Sequence, residues 1–67
     1  MALTPMEKKL ALTLRTFDIQ KDEFVAVILF LQREEQQEMM LQFLERNKTA
    51  TQNDILKEML RIYRMTK

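Results

Sequence analysis

The run Phe24-Val25-Ala26-Val27-Ile28-Leu29-Phe30-Leu31 sets eight apolar residues in succession inside a 67-residue chain that contains no glycine. A bilayer span takes about 20 apolar residues, so a run of this length has to be covered by protein. How much of it one short chain can cover is the constraint any fold must meet. A domain of this size hides only about 60% of the surface its unfolded chain exposes. Small domains compensate with disulfides, metals or association, and with no Cys and no His the first two routes are closed or nearly so. Efficient helix packing and association with another chain remain.

The flanking sequence reads as helix throughout. Thr4-Pro5 forms a helix start, with Thr4 as N-cap and Pro5 at the first helical position, where its missing N–H costs nothing. From there a helix over about 5–17 carries Leu3, Met6, Leu10, Leu14 and Phe17 at steps of three and four, a single apolar stripe from which Leu12 points away. In the first connection Asp18 is the best local capping residue, and Asp22 and Glu23 suit a first helical turn. The apolar run then lies on a second helix, about 21–33. Its Val25, Val27 and Ile28 would also suit a buried strand, but no second strand candidate exists to pair with it.

Gln32 to Glu38 has no apolar side chain, which predicts a break near Arg33-Glu34; one continuous helix over 21–47 is the alternative. The third helix, about 35–47, carries Met39, Met40, Phe43 and Leu44 on one face and Glu34, Glu38, Gln42 and Glu45 on the other. After a polar connection, Thr51 and Asp54 approximate a capping box. A fourth helix over about 52–65 follows, with Ile55, Leu56, Met59, Leu60, Ile62 and Tyr63 as a broad apolar face. The expected fold is therefore all-α, a small bundle of four short helices in one domain covering residues 1–67.

At about 100° per residue, Phe24, Val27, Ile28 and Leu31 share one sector of the second helix, while Val25, Ala26, Leu29 and Phe30 fall across the opposite side. A helix apolar all round belongs in an interior. Either the other three helices surround it in a monomer, or it gives one face to the core and the other to a second copy or a different protein. Full burial of the large side chains, at about 1.5–3 kcal/mol each, is comparable in total to the net stability of a small domain. The balance favours association, most simply a homodimer. Val25, Leu29 and Phe30 are the expected interface, joined by Met39 and Met40, whose flexible thioethers suit an adaptable binding surface.

Chemistry beyond association finds little equipment. The chain has no Ser, Cys or His, so the usual nucleophiles and the usual neutral-pH base are missing, and without Gly there is no phosphate-cradling loop. The pairs Glu34/Glu38 and Glu35/Glu38 fall on an outer helix face, where carboxylates are ordinarily just solvated, and they lack the His partners of di-iron bundles. No catalysis, metal or cofactor is expected. The net charge of +1 argues for neither nucleic acid nor anionic membrane, but Lys57, Arg61, Arg64 and Lys67 form a basic stripe that could follow a phosphate backbone. The same residues also complement a helix C-terminus. The N-terminal residues do not read as a secretory signal, and the expected compartment is the cytoplasm.

Overall fold

The computed structural model describes residues 3–66. It contains four helices: α1 (Pro5–Arg15), α2 (Lys21–Phe30), α3 (Glu34–Arg46) and α4 (Gln52–Met65). Helix α3 packs on both α1 and α4, and α2 lies against α4 and α1. The core comprises Leu10 and Leu14 of α1, Val27 of α2, Leu31 just beyond it, Met40, Leu41 and Leu44 of α3, and Ile55, Met59 and Ile62 of α4. The amphipathic helices bring most of the expected stripes inward and an all-α bundle forms, but Leu3 and Leu60 stay exposed, and Leu41, outside the expected stripe of the third helix, is buried. The helix–helix contacts join the four helices in a ring, so the most apolar helix, α2, is not surrounded by the other three.

Helix α1 starts as expected. The Thr4 hydroxyl accepts from the Glu7 N–H (3.1 Å), and the Glu7 carboxylate accepts from the Thr4 N–H (2.9 Å), a reciprocal pair that satisfies two otherwise orphaned donors. It stops at Arg15, two residues short of the expected Phe17. The Phe17 N–H donates to the Leu14 carbonyl and the Asp18 N–H to the Arg15 carbonyl, the tightened turns typical of a helix end. Asp18 then takes φ 63°, the left-handed region that glycine usually fills at such ends. In a chain without glycine, Asp is one of the few residues that tolerates it. Asp18 therefore closes α1 instead of capping α2, whose N-cap position falls to Gln20 with no side-chain bond.

Helix α2 ends at Phe30, three residues before the expected Arg33, and is separate from α3. Leu31 leaves the helix at φ −106°, ψ 75° and turns its side chain fully into the core. The break is held by glutamines. Gln37 Nε2 donates to the Leu31 carbonyl (2.8 Å), while Gln36 Oε1 accepts from the Arg33 N–H (3.1 Å) and Gln36 Nε2 donates to Thr66 Oγ1 (2.6 Å). Both glutamines are buried, so the apparently polar run from Gln32 to Glu38 supplies the inside of the structure as well as its surface. Helix α3 begins and ends one residue before the expected bounds, at Glu34 and Arg46. At α4 the reading from spacing holds: Thr51 and Asp54 exchange both capping-box bonds, at 3.0 and 3.2 Å.

Candidate interaction surface

The exposed residues of α2 form a regular pattern. Lys21, Asp22, Val25 and Leu29 are exposed, followed by Gln32 beyond the helix end, and these positions step by one, three, four and three. They share one side of the helix, opposite the fully buried Val27; Phe24 and Ile28 are half-buried against the core. Leu29 is 63% exposed and Val25 43%. Both stand in the middle of that outward ridge, and both are large and apolar.

Phe30 lies on the flank between α2 and α4. Its ring meets Tyr63 edge-on, with centroids 5.3 Å apart and planes at 85°, a favoured aromatic geometry. The contact leaves it 40% exposed. Leu29, Phe30 and Tyr63 line one shallow groove with Gln32, Arg33 and Thr66. Val25, Leu29 and Phe30 are thus all exposed apolar residues on α2.

The two methionines of the expected interface part company. Met40 is fully buried in the core and contributes nothing to a surface, which corrects the expectation placed on it. Neighbouring residues on a helix point about 100° apart, and here Met40 shares the inner face with Leu41 and Leu44 while Met39 sits half-buried at its edge.

On the outer side of α4, Lys57, Arg61 and Arg64 line a common concavity with Leu60 and Met65. Lys67 lies outside the described residues. Arg61 is committed to an intrahelical pair: its Nε donates to Glu58 Oε1 (2.8 Å) and its Nη2 to Glu58 Oε2. That hydrogen bonding, with Glu58's charge, holds the Arg61 guanidinium above its ordinary pKa. The carboxylates of Glu34, Glu35, Glu38 and Glu45 are all on exposed residues of α3. Among the described residues, no three Asp, Glu, His or Cys side chains gather closely enough to hold a metal ion. No described helix is long and apolar enough to cross a membrane.

Two features of the structure escape a reading by hydrophobic spacing. One is the buried pair Gln36 and Gln37, whose signal was available: two neutral amides interrupt Glu34-Glu35 and Glu38 where solvated positions would carry charge as readily. The other is the aromatic contact that ties Phe30 to Tyr63, which depends on how α2 and α4 meet and has no local signature. Comparison with protein-family models, with curated proteins and with solved structures found no match to this chain.

Proposed function

We propose that this chain is a non-catalytic protein-interaction module of the cytoplasm that self-associates through the outward side of α2. The observation that carries the reading is the contrast within one helix: Leu29 at 63% exposure and Val25 at 43%, with Val27 at 1% between them. A solvent-facing helix ridge is ordinarily polar, and here two exposed aliphatics occupy its middle. A second copy is the simplest cover, because a closed two-fold interface needs only one self-complementary patch. The patch is small beside the about 800 Å² per partner of a standard interface. Association is therefore weak, concentration-dependent and assisted by rim residues such as Gln32 and Arg33.

Sedimentation equilibrium tests this directly. The wild-type chain is expected to pass from monomer to dimer between low micromolar and high micromolar concentration. Leu29→Asp should remain a folded monomer throughout, since that side chain already faces water, whereas Ile28→Asp places a charge against the core and should unfold the chain. A wild type that stays monomeric at high micromolar concentration refutes the reading.

A second reading is nucleic-acid binding along Lys57, Arg61, Arg64 and Lys67. It is supported by the shared concavity of the first three and weakened by the engagement of Arg61 with Glu58. Phosphate binding would fall steeply between low and moderate salt. Apolar self-association would not.

A further inference from the structure

Helices α1 and α2 enclose a cleft of about 350 Å³, lined by Ala11, Leu14 and Arg15 of α1, Ile19 of the connection, and Lys21 and Phe24 of α2. The chain makes this cleft by reversing at Asp18, whose φ of 63° lets Ile19 turn back onto the core and α2 run beside α1. Leu14 is buried, and Ala11, Ile19 and Phe24 are half-buried. The lining is therefore aliphatic and aromatic, while its two polar side chains, Arg15 and Lys21, belong to exposed residues. Small-molecule sites have this composition, a mainly apolar lining with a few placed polar groups, and begin at about 300 Å³.

Both polar groups are cations, and no carboxylate lines the cleft beside them. Among the described residues the ion pairs are Arg33–Glu35 and Arg61–Glu58, so neither Arg15 nor Lys21 is engaged. Arg15 has a reason of its own for its place, since a cation in the last turn of α1 complements the negative end of that helix. Lys21 has none: it opens α2, at the positive end, where a cation is least favoured. Two unpaired cations beside an apolar lining suit a ligand with an anionic head on an apolar tail, and a carboxylate head matches the planar fork of Arg15.

We propose that this cleft binds a free medium-chain fatty carboxylate, its alkyl chain over Leu14 among Ala11, Ile19 and Phe24 and its carboxylate between Arg15 and Lys21. The site does not depend on the self-association proposed above, because Val25, Leu29 and Phe30 take no part in its lining. Octanoate is the probe, with octylammonium, the same chain under the opposite charge, as its control. Each is titrated to about 10 mM, where a millimolar ligand approaches saturation, into dilute isotope-labelled protein. The methyl signals of Ala11, Leu14 and Ile19 are followed beside those of Leu12 and Leu29, which are exposed and outside the cleft.

Octanoate should shift the cleft methyls along a saturating curve with a Kd in the millimolar range, the level that about ten non-hydrogen atoms reach at ordinary ligand efficiency. Leu12 and Leu29 should stay fixed. Octylammonium should bind at least about five-fold more weakly, since two attractions become repulsions. Lys21→Gln and Arg15→Gln, both at exposed positions, should each weaken octanoate about three-fold, the scale of one exposed ion pair. Ala11→Leu, which fills the cleft and keeps both cations, should abolish the saturating shift. Equal affinity for the two ions would show that the cations take no part, and shifts of Leu12 and Leu29 along the same curve would show unspecific adsorption. Either result, or cleft methyls that do not move, overturns the proposal.

Discussion

Helices α2 and α4 are made by different means. Helix α4 is specified locally: a reciprocal Thr51–Asp54 cap opens it, one face carries Ile55, Met59 and Ile62 into the core, and the opposite face carries charge. Helix α2 has no side-chain cap, is apolar on every side, and sends only Val27 fully into the core. In its first turn Glu23 leaves one buried carboxylate oxygen without a hydrogen-bond partner. The sequence of α4 thus says where its helix starts and which side faces in. That of α2 says that it is apolar and leaves its start, end and orientation to the rest of the molecule. The self-association proposed above is placed on a helix of the second kind.

The largest effect that sharpens this contrast is loss of core packing under α4. Ile62→Ala should cost about 2–5 kcal/mol, a large share of the stability of so small a domain, whereas Leu29→Ala at the same low micromolar concentration should change stability by no more than about 0.5 kcal/mol. Urea denaturation of both variants measures the difference. A comparable loss at Leu29 in dilute protein would mean that α2 is buried on both sides within one chain.

Next in size is the anchor at the end of α2. Gln37→Ala removes the donor to the Leu31 carbonyl and should cost about 1–3 kcal/mol by leaving a buried acceptor unpaired. Hydrogen exchange should show the effect first at the α2–α3 junction. If exchange instead rises uniformly, the amide is acting only as packing.

A smaller effect is expected at the α4 cap, where Thr51→Ala should cost about 1 kcal/mol and fray residues 52–55 before any part of α2. The smallest is the response to acid. The Thr51 N–H, foremost, and the Thr51 hydroxyl hold the Asp54 carboxyl below its ordinary pKa, with Lys57's charge adding to them. A carboxylate depressed on folding contributes stability that is present above its unfolded pKa and lost as pH falls through the folded one. The α4 cap should therefore persist through mildly acidic conditions and weaken only below the usual aspartate range. Asp54→Asn should remove that acid-dependent step, read by the chemical shifts of residues 51–55 during an acid titration.

The comparison of α2 with α4 also explains what spacing could and could not reveal. The bounds of α4 were legible because Thr51, Asp54 and the steps from Ile55 to Ile62 each report on local geometry. The end of α2 was not, because Leu31 is as apolar as the residues before it and stops the helix by turning inward onto Gln37. Asp18 illustrates the same point: its short polar side chain suits both an N-cap and a left-handed helix end, and only the packing of Phe17 and Ile19 against the core selects the second. Of the candidate surface, Val25, Leu29 and Phe30 followed from the excess of apolar residues over what a small bundle can cover. Met40 did not belong with them, since it shares the inward face of α3 with Leu41 and Leu44.

Leu12 and Leu29 offer the most direct test of the central claim, because both are 63% exposed and only one lies on the ridge assigned to self-association. Methyl chemical shifts of the wild-type chain, followed from about 10 μM to 1 mM, should move with concentration at Leu29 and Val25 and stay fixed at Leu12. Shifts that stay fixed at all three residues across that range, or that move at Leu12 and not at Leu29, would contradict the account.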